Sequence, residues 1–442
     1  MAITKLHLSK SAPPPPPLPV YQQMDPREVS FIGRTNYEAP LESKKYVFGI
    51  TRADRNRHLY IIGKFGVGKS KLLELLMRQD IAYGYGMCLL DPHGDLIAEL
   101  LKFIPRERAG DVIVFDPTDM GAIAFNPFRD VAPEFRHRVA GSLVEAMERQ
   151  FGAHWTPRLE QLFRFAVLAL LDYPEATLQG LISLLTDAAY RAAVVPYISD
   201  EMVRRFFEVE FTAWTEKFES EATMPLINRI GRFLAVPAVR AMFSNPENRV
   251  NFGTLMHERK ILLVDLAKGK LGEDNAAFLG ALCVMKFLEA GMTRAGLPPQ
   301  DVRSFYLYCD EFAPLVTSAF MHMYAEARKY KINITLAHQY TAEVPPPVLA
   351  AVLGSVGNII TFRVGGEDAE RLEAEFAPVF KAKDMLNLTI QEFYIKETIA
   401  GEAYDPFSAE TLKVLPSPHP SFRDDILAAS RRKYGIPKES SV

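Results

Sequence analysis

Leu59-Tyr60-Ile61-Ile62-Gly63-Lys64-Phe65-Gly66-Val67-Gly68-Lys69-Ser70 is the stretch that decides the fold. Its first four residues are a short apolar run of the kind a buried strand requires. The remainder, Gly63 to Ser70, fits G-x-x-x-x-G-K-[ST], a pattern that cradles phosphate only when a strand precedes it and a helix follows. Helical periodicity over 69–83 meets the second condition. The glycines at 63, 66 and 68 let the backbone wrap closely enough for successive N–H groups to face phosphate oxygens. Lys64, Phe65 and Val67 complete the loop. The positive end of the following helix adds to the field, Lys69 reaches for the β- and γ-phosphates, and the Ser70 hydroxyl is a ligand for Mg2+. The plain alternative, a glycine-rich turn without a ligand, leaves the flanking strand and helix unexplained.

Outward from this loop, short apolar runs alternate with helical stretches, as in an α/β fold with a mainly parallel central sheet covered by helices. Residues 58–62, 87–90 and 112–115 read as strands. From about 133 to 250 the pattern changes to helical periodicity, as in Leu159-x2-Leu162-Phe163-x2-Ala166-x3-Leu170, which predicts an inserted all-α domain. Strands resume at 261–265, 305–309, 332–337 and 359–362, with helices around 275–290, 318–330 and 346–353. The expected organisation is a proline-rich flexible arm (1–30), the first part of the α/β domain (31–130), the helical insertion (131–250), the second part of the α/β domain (251–403) and a C-terminal tail (404–442) with a short amphipathic helix around 424–434.

Two further strands end in groups suited to hydrolysis. Phe305-Tyr306-Leu307-Tyr308-Cys309 runs into Asp310-Glu311, an arrangement that puts Asp310 by the metal and Glu311 where it can polarise water beside the γ-phosphate. Two solvated acids at a strand end are the bland reading, and the phosphate loop in the same sheet weighs against it. Ile334-Thr335-Leu336-Ala337-His338 ends at Gln339, an amide able to contact both γ-phosphate and attacking water. Leu89-Leu90 leads into Asp91-Pro92-His93-Gly94-Asp95, where Asp91 and His93 either sense nucleotide or simply close a turn that caps the next helix. Arg328 and Arg363 are candidates for an arginine supplied to a neighbouring subunit's transferred phosphoryl group; an ordinary surface or ion-paired arginine is the alternative for each. Absence of N-K-x-D speaks against a GTP switch and absence of L-S-G-G-Q against a transporter ATPase, so the expected nucleotide is ATP, bound with Mg2+.

The chain has 442 residues, 48% hydrophobic, and a net charge of −3. That charge excludes a protein coated with basic residues for nonspecific nucleic-acid binding, and leaves room for local contacts in a lined channel. The cysteines Cys88, Cys283 and Cys309 lie far apart in apolar runs without metal-ligand spacing, which fits a reducing, cytoplasmic setting. The longest uninterrupted apolar stretch, 276–285, is too short to span a bilayer, so no direct membrane insertion is expected. The N-terminus has no apolar signal core and carries consecutive prolines from Pro13 to Pro17, which favour an extended polyproline segment.

Ile61 to Ser70, Leu90-Asp91-Pro92-His93-Gly94-Asp95, Asp310-Glu311-Phe312, Glu326-Ala327-Arg328-Lys329-Tyr330 and Leu336-Ala337-His338-Gln339 together resemble the type IV conjugative coupling proteins (TraG/TraD-type) of the FtsK/HerA class of P-loop ATPases. Phe31-Ile32-Gly33-Arg34-Thr35, Trp155-Thr156-Pro157-Arg158-Leu159-Glu160 and Leu266-Ala267-Lys268-Gly269-Lys270 look like a soluble, poorly characterised branch. The resemblance, over about residues 31–400, implies a RecA-like motor domain with an all-helical insertion, six subunits around a pore, and DNA as the translocated substrate. It also implies Arg328 as the better trans-acting arginine, ahead of Arg363. Most such proteins carry N-terminal transmembrane helices where this chain has a proline-rich arm; recruitment to the inner face of the membrane by a membrane-anchored or relaxase-type partner is one outcome and action away from the membrane another. Two rival functions stay open: a secretion-machine ATPase that acts on protein or on assembly, and a nucleotide-gated scaffold.

Overall fold

The run Leu59–Ile62 is fully buried and forms a strand in the middle of an eleven-stranded sheet. The computed structural model describes residues 9–37, 45–119, 121, 123–214 and 216–436. Its strands are β1 (Val29–Thr35), β2 (Val47–Thr51), β3 (Leu59–Ile62), β4 (Gly86–Asp91), β5 (Val112–Phe115), β6 (Ile261–Asp265), β7 (Phe305–Cys309), β8 (Ile332–His338), β9 (Asn358–Thr361), β10 (Glu392–Lys396), β11 (Thr398–Ile399), β12 (Glu402–Ala403) and β13 (Phe407–Thr411). Across the large sheet the order is β2-β1-β13-β10-β9-β3-β8-β7-β4-β6-β5, and β11 pairs with β12 apart from it. Neighbours from β9 to β5 are parallel. Those from β2 to β9 are antiparallel.

Parallel strands covered on both faces must be apolar along their length, and β3, β7 and β8 have no residue outside the buried class. Alternation along β3 sends Leu59 and Ile61 to one core and Tyr60 and Ile62 to the other. Helix Lys69–Ala82 supplies Leu72, Leu73 and Leu76 to the first; helix Glu273–Arg294 supplies Leu279, Leu282 and Phe287 to the second. Each fully buried Leu, Ile or Phe adds roughly 1.5–3 kcal/mol, so the strand that feeds the phosphate loop is fixed from both sides. The helix Glu273–Arg294 is long and apolar enough to cross a bilayer, well beyond the 276–285 run, yet 83% of its most apolar window is buried inside the fold. The three cysteines are free and join the second core.

Between β5 and β6 the chain is helical, from Arg136–Phe151 to Phe252–His257. Helix starts there are set by capping side chains: the Thr156 hydroxyl accepts from Leu159 N–H at 3.3 Å with Pro157 in the first turn, and Thr177, Asp187 and Asp200 act likewise. The two crossings into this domain are stitched together, Asn126 N–H donating to Asn248 Oδ1 (2.7 Å) and Asn248 Nδ2 to Asn126 O (3.1 Å). A further tie joins the domain to the sheet's helices: Arg229 pairs with Asp274 at 2.8 Å.

Both chain ends differ from expectation. The 1–30 arm is not free from Ser9 onward; Ala12 bonds Ser408, the Tyr394 hydroxyl donates to Lys10 O, and Tyr21 and Val47 are hydrogen-bonded, so the proline-rich stretch crosses the antiparallel half of the sheet and runs along its outer strand β2. Proline suits that place, because an edge strand is best covered by chain that offers few further N–H donors. The 404–442 segment is more than a surface tail: β13 lies inside the sheet between β1 and β10, with Phe407 and Ala409 fully buried, and helix Arg423–Tyr434 packs beside β5. Strands β1, β2 and β10 are likewise additional to the sequence expectation. Each mixes polar with apolar residues, so no continuous apolar run marks it.

Candidate nucleotide-binding site

The chain leaves β3 at Gly63, and the loop that follows is shaped from outside as well as by its own glycines. A Cβ at Gly63 would stand 2.7 Å from Phe362 Cβ, closer than packing permits, and Gly68 has φ 126°, a conformation side chains rarely adopt. Lys64 N–H donates to Arg363 O (2.9 Å) and Gln391 N–H to Val67 O (3.0 Å). Helix Lys69–Ala82 then begins with neither a side-chain cap nor an acid in its first turn. Its leading N–H groups and positive dipole end are therefore available to an anion. The Lys69 ammonium is buried and donates to Gly63 O (2.5 Å) and Lys64 O (3.0 Å). Burial lowers its pKa, while Asp310, Glu311 and Glu343 oppose the shift.

At the end of β7 the chain turns sharply, with Glu311 in the left-handed region at φ 49°. Its carboxylate is held from several strands: Oε1 accepts from Gln339 Nε2 at 2.9 Å, and Oε2 lies 3.4 Å from His93 Nε2 and 3.8 Å from Lys268 Nζ. Next to it, burial first and then the charges of Asp91 and Glu311 push the Asp310 carboxyl up to about 6, against the pull of Lys69. A cation relieves that repulsion, so Asp310 together with the Ser70 hydroxyl fits Mg2+, which typically takes one or two protein ligands and completes its shell with phosphate and water. Among the described residues no group of three or more His, Cys, Asp or Glu converges as a metal site.

Asp91 serves the turn. It is buried, and its two oxygens accept from His93 N–H (3.0 Å) and Ile97 N–H (3.1 Å), which ties β4 to helix Asp95–Phe103. Its negative charge still bears on Asp310. Phe65, Gly66, Gly68, Lys69, Ser70, Asp91, Asp310, Glu311 and Gln339 all line one cleft of about 410 Å³. Phe65 and Ile390 line it too, as apolar side chains largely open to solvent. Arg328 is not brought to this cleft; it is exposed beyond the opposite, amino-terminal end of β8, where its charge reaches His58. Arg363 contributes its carbonyl to the loop, and its side chain is half-buried.

The family model for the type IV secretion-system coupling protein DNA-binding domain matches residues 48–345, more than half of the chain. The chain belongs to this family. No curated protein sequence matches it. Among solved structures, the coupling-protein fold is shared with the bacterial conjugative coupling protein TrwBdeltaN70 in its unbound form (TM-score 0.63, 17% identity, 85% of this chain and 89% of that one). It is shared also with the plasmid coupling protein TrwB in complex with ADP and Mg2+ (TM-score 0.59, 18% identity, 85% and 89%). VirB4 of Thermoanaerobacter pseudethanolicus is similar at a TM-score of 0.52, with 14% identity over 81% of this chain and 89% of that one. The fold of this family member is thus RecA-like, with an all-α domain inserted.

Three groups of the site have no role in the sequence reading. Lys268 follows β6 at the same carboxyl edge as the other site residues and approaches Glu311. Glu343 lies in the turn after β8, where burial and then Glu311 push its carboxyl up. Gln391 braces the phosphate loop from just before β10. Lys268 and Glu343 are traceable in principle, since each falls a few residues after a strand of the parallel set; Gln391 depends on an antiparallel strand that periodicity does not reveal.

Proposed function

We propose that this coupling-protein family member is an ATP-hydrolysing motor that moves DNA. The observation that carries the reading is the Glu311 carboxylate, bonded to Gln339 and placed in one cleft with Lys69 and Asp310. A phosphate-binding scaffold needs no such carboxylate; a hydrolase does. In this reading the loop N–H groups of 63–70 and Lys69 bind the β- and γ-phosphates of ATP. Ser70 and Asp310 would hold Mg2+, which supplies charge neutralisation on the phosphates when bound. Glu311 accepts a proton from the attacking water, and Gln339 orients both. The nucleotide and Mg2+ assignments draw support from the TrwB structure in complex with ADP and Mg2+.

Arg328 is proposed to act in trans. It is exposed at the end of the strands remote from its own phosphate loop, where a neighbouring subunit in a ring meets it and where it can stabilise charge on that neighbour's transferred phosphoryl group. A homo-hexamer with DNA in its pore, recruited at the inner face of the membrane by a membrane-anchored or relaxase-type partner, completes the proposal. The family's DNA-binding designation favours DNA over a protein substrate. ATP turnover with and without single- and double-stranded DNA at low salt, where phosphate contacts are strongest, tests this function: the expected result is stimulation by at least one form, and unchanged turnover with both contradicts it.

A further inference from the structure

Leu266-Ala267-Lys268-Gly269-Lys270 belongs to no phosphate-binding pattern, yet it lies beside the hydrolytic carboxylate. Lys268 Nζ is 3.8 Å from Glu311 Oε2 and 3.4 Å from Glu273 Oε1, at the first turn of helix Glu273–Arg294. Its backbone is over-determined. Leu266 N–H donates to Asp91 O (2.9 Å), Ala267 N–H to Asp265 Oδ1 (2.7 Å) and Lys268 N–H to Pro92 O (2.9 Å). Between them Ala267 is held at φ 50°, a left-handed conformation that a residue with a side chain keeps only where its surroundings impose it. Glu311 is held at φ 49° across the cleft. Two strained residues on two loops thus aim an ammonium and a carboxylate at each other.

We infer that Lys268 is a positioning residue for hydrolysis: it draws the Glu311 carboxylate away from Lys69 and fixes it where it polarises water. This rests on the reading of Glu311 as the proton acceptor. The need for such a group follows from charge. Lys69 and Glu311 attract each other in the same cleft, and a carboxylate that collapsed onto Lys69 would be lost as a base and would occupy the phosphate's own cation. Gln339 secures one carboxylate oxygen but carries no charge. His93 approaches the other oxygen through a half-exposed imidazole. Among these three neighbours Lys268 is the ammonium group, and Glu273 Oε1 at 3.4 Å is its second carboxylate partner.

The test is steady-state ATP turnover of the full chain with Mg2+, comparing Lys268→Ala, Lys268→Arg and Glu311→Gln. Lys268→Ala is expected to lower kcat about tenfold to a hundredfold, the scale of losing a partner that orients a catalytic group, with the KM for ATP within about twofold. Lys268→Arg is expected to recover most of the loss. An unchanged kcat in Lys268→Ala, an effect confined to KM, or an Arg variant as slow as the Ala variant overturns the inference. If Lys268→Ala melts at a markedly lower temperature, Lys268→Gln, which keeps much of the stem without the charge, is read against the same expectations. Glu311→Gln separates the two readings. If it retains normal turnover, the proton-acceptor reading fails; if it is inactive while Lys268→Ala is fully active, only the Lys268 inference fails.

Discussion

The two ends of the parallel strands are built to opposite rules. At the amino ends, polar groups are buried within the fold: Asn358 donates to Asp54 O (3.2 Å) and His58 O (3.0 Å) and accepts from Thr398 N–H (3.1 Å), and Arg52 and Arg55 pair with Asp80. His58 lies 3.1 Å from Tyr324 O through Nε2 and accepts from Ile334 N–H through Nδ1, and burial drives its pKa down to about 4, so it stays neutral. At the carboxyl ends charges are crowded. Lys69 falls back on carbonyls of its own loop, Asp310 is pushed up to about 6, and Glu311 is pulled by an amide, an imidazole and an ammonium. Buried groups, including the paired charges of Arg52, Arg55 and Asp80, brace one end, and at the other several charges converge on one cleft. The same strands carry both, so the frame at one end sets the precision of the chemistry at the other.

The sharpest break in this comparison is Lys69→Ala, which should abolish ATP turnover, a loss of roughly a thousandfold or more, while thermal melting shows no loss of stability because a costly buried ammonium has gone. Arg328→Ala crosses the comparison, since it sits at the quiet end. Turnover of the assembled protein should fall by about a thousandfold, the scale of a trans-acting arginine, with ATP binding by fluorescence titration unchanged; retained turnover would turn attention to Arg363. Asn358→Ala should do the reverse of Lys69→Ala. Leaving buried partners unpaired costs roughly 3 kcal/mol in denaturant melts, and the kcat of the folded fraction should stay within about twofold of wild type.

The smallest effect is a pH dependence. Asp310 titrates higher in the folded chain than in the unfolded one, so its contribution to stability is full below its ordinary value of 3.8 and is lost as pH rises through about 6. Without nucleotide or Mg2+, Asp310→Asn should therefore be more stable than wild type at pH 7.5, by roughly 2 kcal/mol after allowing for partial exposure. The gap should close as pH falls from 6 towards 4, as followed by melts across that range.

Much of the parallel half is legible in the sequence because each strand there is buried on both faces and must be continuously apolar. The strand expected at 112–115 and the one at 305–309 coincide with β5 and β7. The antiparallel half escapes that logic. β13 contains Ser408, whose buried hydroxyl is satisfied by Ala12 from the opposite end of the chain, a partnership no local pattern encodes. The site divides in the same way. Gly63 to Ser70, Asp310, Glu311 and Gln339 announce themselves because each follows an apolar strand. Asp91 closing its own turn is one of the two readings the sequence leaves open, while the reach of Lys268 to Glu311 depends on how the loop after β6 docks on the loop after β4.

Coupling of the cleft's hydrolysis to movement along DNA is the central claim, and ATP-driven displacement of a tightly bound protein block from DNA measures it directly. The account predicts displacement by the wild-type chain with ATP and Mg2+, and none by Glu311→Gln even where it binds nucleotide. Displacement that persists in Glu311→Gln, or brisk ATP turnover on DNA with no displacement at all, would contradict it.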